Sequence, residues 1–156
     1  MSGLPLTDGV VTLRAQREGD AQVLIAGRDD EFHRWFGAGS PDPRPTAVIE
    51  VAGEVVGWAD HDDHRQHGWL APGQCNLGYY VFPSHRGRGV AARAVRLLLE
   101  LLRDDAACTE ATFLVDAENE ASLRVARAVG ATERDRFPNA EGRPQVLLLI
   151  GVSDRG

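Results

Sequence analysis

The chain has 156 residues, 43% hydrophobic and 26% charged, with a formal net charge of -6. That is globular composition at single-domain length, and its acidic balance argues against broad attachment to nucleic acid or an anionic membrane. All 17 basic residues are arginine, which excludes a Walker phosphate loop and a lysine Schiff base.

Val10–Arg14 reads as a first strand. Asp20 is placed to cap a helix that runs to about Ala26. A second short helix spans Asp30–Phe36, with Phe32, Trp35 and Phe36 on one side and Gly37 as its stop. Pro41, Pro43 and Pro45 forbid regular structure in the loop that follows. Thr46–Val51, a turn at Ala52-Gly53 and Glu54–Ala59 form a hairpin. Asp60–Gln74 reads as a polar loop, and Asn76–Phe82 as a strand stopped by Pro83. Val90–Arg103 carries the clearest helical period. Ala94, Leu97, Leu98, Leu101 and Leu102 fall on one face, with Arg93, Arg96, Glu100 and Arg103 on the other. Ala111–Val115 reads as a buried strand. Asn119 can cap a helix ending at Gly130. Strands near Ala131–Phe137 and Gln145–Ile150 finish the chain. The order βααβββαβαββ predicts an α+β, mixed α/β architecture in one domain, residues 1–156.

Cys75 and Cys108 make neither a disulfide framework nor a zinc site, and read as small buried apolar residues. His61, Asp62, Asp63, His64 and His67 share the polar loop, which does not hold ligands at fixed geometry; the expectation is a solvated loop and no metal. The N-terminus lacks the pattern of a signal peptide, and no apolar run is long enough to span a bilayer. The expected location is cytoplasmic.

The stretch PSHRGRGVAARAV, Pro83–Val95, joins the tyrosine-containing strand to the long helix. Gly87 and Gly89 let backbone approach a ligand closely. The helix start offers free amide hydrogens and a partial positive charge. Arg86 or Arg88 can add charge-assisted hydrogen bonds. Together they suit an anion, and the ligand expected is a diphosphate. Gly87-x-Gly89-x-x-Ala92 also fits the loose dinucleotide fingerprint. However, Pro83–Arg86 separate the strand from Gly87, whereas the dinucleotide turn follows its strand directly. The plainest alternative is a strand-to-helix turn with solvated arginines.

Arg86-Gly87-Arg88-Gly89-Val90-Ala91 resembles the acyl-CoA loop of the GNAT N-acetyltransferases: Arg or Gln, two residues, Gly, one residue, Gly or Ala. LGYYVFP before it is similar to that superfamily's fourth strand. NEASLRVARAVGA, Asn119–Ala131, resembles its second conserved block. VTLRAQREGDA resembles the opening of the branch that contains the ribosomal-protein N-terminal alanine acetyltransferases. The resemblance implies a mostly antiparallel, splayed central sheet of about seven strands flanked by four helices, open between its fourth and fifth strands. It implies acetyl-CoA as co-substrate. The backbone of Val81 would pair with the pantetheine arm. The amides of Arg86, Gly87, Arg88, Gly89, Val90 and Ala91 would hold the pyrophosphate. Asn119 would touch the cofactor arm, and Ser122 would lie near the sulfur.

The implied reaction is direct attack of an amine on the thioester, with an N–H such as that of Val81 stabilising the oxyanion. Two departures mark this chain. Ala126 stands where many relatives carry an acid tyrosine, which leaves Ser122 as the substitute; a helix N3 residue bonded to Asn119 is the equal alternative. Asn76 stands where relatives often place a glutamate, and an amide can orient a water or the amine but cannot take a proton. Of Tyr79 and Tyr80 only one can face a cleft. Phe32, Trp35 and Phe36 serve either the core or the acceptor wall, and the acidic loop would suit a cationic amine. The acceptor is open among a protein N-terminus, an aminoglycoside, a polyamine and a small metabolite. A non-catalytic acyl-CoA-binding module and a dinucleotide-dependent oxidoreductase are the rivals. A nucleic-acid or membrane partner is not expected, and a homodimer is left open.

Overall fold

The computed structural model describes residues 3–152; the two ends of the expected 1–156 domain lie outside them. The elements are β1 (Leu6–Thr7), β2 (Val11–Arg14), α1 (Asp20–Ala26), α2 (Asp30–Phe36), β3 (Ala47–Val51), β4 (Glu54–Asp63) and β5 (Gly73–Val81). Then follow α3 (Val90–Leu102), β6 (Cys108–Asp116), α4 (Glu120–Ala128), β7 (Thr132–Pro138) and β8 (Pro144–Gly151). The 8 strands run in the order β1-β2-β3-β4-β5-β6-β8-β7. The pairing of β5 with β6 is parallel, while β1–β2, β2–β3, β3–β4, β6–β8 and β7–β8 are antiparallel. The fold is the expected mixed α/β one, with four helices and a mostly antiparallel sheet.

The chain forms two compact units. The first holds the described residues up to Asp60, with Tyr79–Leu101. Its strands bury Val11, Leu13, Val48, Ile49 and Val56, and its helices bury Leu24, Phe32, Ala94, Val95, Leu98 and Leu99. The hairpin turn uses Ala52 (φ 51°) and Gly53 (φ 80°), the left-handed pair that a two-residue connection requires. Arg14, buried at the end of β2, donates to Asp20 at 2.8 Å and to Glu50 at 2.7 Å. The second unit holds His61–Gly78 and the described residues from Leu102 on. There β8 pairs with β6 from Glu110↔Gly151 to Asp116↔Gln145, burying Ala111, Phe113, Val115, Val146 and Leu148.

Four sequence expectations need correction. Gly19, not Asp20, is the N-cap of α1; Asp20 is the first helical residue, and its carboxylate accepts from the Arg17 amide at 2.7 Å. β1, which the sequence reading does not include, is two residues long, too short to show a period. β4 continues through Asp60–Asp63 and β5 begins at Gly73, residues that polarity alone assigns to the loop. Cys75 and Cys108 are buried as expected but joined as a disulfide; the parallel pairing of β5 with β6 brings them together from positions 33 apart in sequence.

Candidate active site

The loop from β5 to α3 is built in steps. Val81 ends the strand, and the Phe82 amide donates to Val56 O at 2.7 Å. Pro83–His85 makes one 3₁₀ turn with proline at its start, where no N–H is needed. Gly87 and Gly89 have φ of 76° and 75°, the left-handed region that L side chains avoid. A Cβ at either would meet nothing within 4 Å, so the loop's outer surface is open. α3 then begins at Val90, and the Arg93 amide donates to Gly89 O at 3.2 Å. The first-turn amides of Val90, Ala91 and Ala92 have no acceptor within a helix of this geometry. A 13-residue helix also contributes its partial positive charge at that end.

The two loop arginines differ. Arg86 turns inward. Its Nη1 and Nη2 donate to Asp29 at 2.7 and 3.1 Å, and its Nε donates to Val81 O at 3.0 Å. Its guanidinium lies 5.2 Å from the Tyr80 ring centroid. Tyr80 OH donates to Asp29 at 2.8 Å and lies 2.9 Å from Gly27 O. The Arg86 guanidinium holds the Asp29 carboxyl well below the usual carboxylate range. Burial, reinforced by the Asp29 carboxylate, pushes the Tyr80 phenol up to about 12. Arg88 is exposed like Arg86 but, among the described residues, makes no hydrogen bond or ion pair.

Val81 and the Arg86–Ala91 stretch are thus contiguous in the first unit. The other expected site residues lie in the second. Asn76 Oδ1 accepts from Thr112 Oγ1 at 3.0 Å and from the Leu114 amide at 3.3 Å. Its carbonyl is therefore turned to β6, at the last position of the parallel register, Asn76↔Thr112. Asn119 caps α4, its Oδ1 accepting from the Ser122 amide at 3.2 Å. Ala126 is fully buried.

Of the aromatic residues on α2, Phe32 is core and Phe36 is exposed. Phe36 stacks edge-on against Trp58, 5.3 Å between centroids. Tyr80 is the buried member of the tyrosine pair. In the histidine-rich stretch His67 pairs with Asp62 at 2.9 Å and Asp63 pairs with Arg65. No group of three or more metal-ligating side chains is found among the described residues, and no helix there is long and apolar enough to cross a membrane. Sequence reasoning missed Asp29. The signal was present, since Asp29 precedes the helical Asp30-Glu31 and sits three residues before Phe32, the spacing of an N-cap.

The chain is a mixed α/β domain in which an outward-open glycine loop leads into the longest of the described helices. The acetyltransferase (GNAT) domain model matches residues 11–132, and the chain belongs to that family of acyltransferases. The L-amino acid N-acyltransferase MnaT of Escherichia coli is 26% identical over 106 residues, which is 67% of this chain and 59% of that protein. A GNAT-family acetyltransferase from Bacillus anthracis superposes with a TM-score of 0.80 at 12% identity, covering 97% of this chain and all of that one. The aminoglycoside acetyltransferase AAC(6′)-Ib, solved with coenzyme A and kanamycin, superposes with a TM-score of 0.77 at 20% identity, covering 90% and 94%. At these identities the two structures establish the fold.

Proposed function

We propose that this protein transfers an acetyl group from acetyl-CoA to a primary amine. The observation that carries the reading is the loop with left-handed Gly87 and Gly89, open outward, leading into the first-turn amides of α3 beside exposed Arg88. A diphosphate fits it on charge and on donor direction. In this reading the amides of Gly87–Ala91 hold the diphosphate, with Arg88 as the ligand-facing cation; the Arg86 amide, expected to join them, donates to Pro83 O at 3.4 Å. The Val81 backbone pairs with the pantetheine arm, Asn119 meets that arm, and Ser122 serves the sulfur.

The amine nitrogen attacks the thioester carbonyl carbon, forming the C–N bond as the C–S bond breaks. The proton lost by the amine leaves through ordered water, and the sulfur gains one. A thiol near pKa about 8.5 needs little help to depart, which suits a site with Ser122 in place of a tyrosine. Holding both reactants together supplies up to roughly 7–11 kcal/mol. Asn76 contributes by holding β5 against β6, its carbonyl being engaged there.

The acceptor we infer is an α-amino group. Two separate likenesses support it: the curated relative acts on L-amino acids by name, and the VTLRAQREGDA opening resembles enzymes that modify a protein N-terminus. The cytoplasm is the expected setting. The test is thiol release from acetyl-CoA with free L-amino acids, an alanine-initiated peptide, a polyamine and kanamycin. Turnover with an α-amino acceptor supports the reading. Tight acetyl-CoA binding with no release on any amine would favour a binding module, and turnover confined to kanamycin or the polyamine would overturn the α-amino assignment.

A further inference from the structure

We propose that Asp29 is a positioning residue for the acyl-CoA loop, acting through Arg86. The inference rests on the reading of that loop as the diphosphate site. The Asp29 carboxylate gathers four donors. Oδ1 accepts from the Phe32 amide at 3.0 Å, Tyr80 OH at 2.8 Å and Arg86 Nη2 at 3.1 Å; Oδ2 accepts from Arg86 Nη1 at 2.7 Å. With Nε on Val81 O, the guanidinium is fixed at three points.

Two consequences follow for the loop. Arg86 opens the loop, and among the described residues its backbone is held by a single long bond, its amide donating to Pro83 O at 3.4 Å. Gly87 and Gly89 give the next residues the widest conformational freedom a chain can have. The side-chain anchor therefore decides where the loop begins, and with it where the amides point. The second consequence is electrostatic. Arg86 is neutralised by Asp29, so its pairing sets the loop's geometry while Arg88 supplies its open charge. Because Asp29 also caps α2, loop and helix share one anchor.

A purely structural Asp29 would cap α2 and nothing more. Asn also caps helices well and can accept from Tyr80, but it lacks the charge and the two-pronged pairing with Arg86. Asp29→Asn therefore separates the roles. The experiment is a double-mutant cycle of Asp29→Asn and Arg86→Met in the full chain. It reads acetyl-CoA affinity by calorimetry, the Michaelis constants of both substrates, and thermal stability. Each single variant should weaken acetyl-CoA binding about tenfold, with the double variant no weaker than either. Most of the kinetic effect should lie in the acetyl-CoA Michaelis constant rather than kcat, and Asp29→Glu should recover part of the affinity. If Asn at 29 does not fold, Asp29→Ser, another capping residue, takes its place. Unchanged acetyl-CoA affinity in Asp29→Asn, or losses that simply add, overturns the proposal. Wild-type protein that fails to bind acetyl-CoA at all overturns the loop assignment beneath it, a distinguishable result.

Discussion

Two arginine–aspartate pairs stand at helix starts within the same unit. Arg14–Asp20 joins the end of β2 to the first residue of α1, and Arg86–Asp29 joins the glycine loop to the cap of α2. Their bond lengths are nearly equal, 2.8 and 2.7 Å. Their settings are not. The side chains of Arg14 and Asp20 are each 10% exposed, and Glu50 supplies a further carboxylate. Those of Arg86 and Asp29 are 35% and 28% exposed. The same chemistry therefore serves two ends. A buried pair is costly to break because it leaves a lone charge in the interior. A half-exposed pair can be broken with water filling in, and what it governs is the loop it holds.

The two pairs should differ most when the buried one is broken. Arg14→Met strands Asp20 and Glu50 without their cation and should cost about 3–5 kcal/mol of stability, read by denaturant unfolding. A loss comparable to that of Arg86→Met would erase the contrast between the two pairs. Next comes the loop. Gly89→Val forces a β-branched residue to a φ of 75°, a strain of about 1–3 kcal/mol. The acetyl-CoA Michaelis constant should rise by about tenfold or more as the amides shift; an unchanged constant would take the glycines out of the site. Arg88→Met should weaken acetyl-CoA binding several-fold at low salt, with the difference fading as ionic strength rises, because an exposed cation is screened. A salt-independent loss would give Arg88 a packing role instead.

The smallest effect concerns pH. Tyr80, at about 12 in the fold, holds its proton where an unfolded tyrosine, near about 10, releases it. Its contribution to stability is complete below pH about 10 and declines as pH rises toward 12. Tyr80→Phe should flatten that decline in a denaturant series across the window. Asp29 has the opposite sign. Its lowered value contributes stability above pH about 4, lost as pH falls toward and through the folded value. Asp29→Asn should reduce the acid sensitivity of the protein.

Strong local signals made much of the fold legible in the sequence. The leucine face of α3 repeats over 13 residues, and its buried side is the one that periodicity selects, Ala94, Leu97, Leu98, Leu101 and Leu102. Gly87 and Gly89 were legible because a left-handed backbone nearly demands glycine. Asn119 was legible as a cap because its side chain serves an amide three residues on. What failed to show depends on partners distant in sequence. Polar His61–Asp63 are strand because β4 continues, and the Cys75–Cys108 pairing needs β5 laid parallel to β6. The inward turn of Arg86 depends on an aspartate 57 residues earlier. RGRG alone cannot tell which arginine faces a ligand.

In the proposed function the Arg86–Ala91 loop grips a diphosphate. The decisive measurement compares the affinity of the wild-type protein for 4′-phosphopantetheine with that for pantetheine, which carries the same arm and thiol but no phosphate. The loop should make 4′-phosphopantetheine bind about a hundredfold more tightly, the worth of roughly two charge-assisted hydrogen bonds. Equal affinity for the two would contradict it.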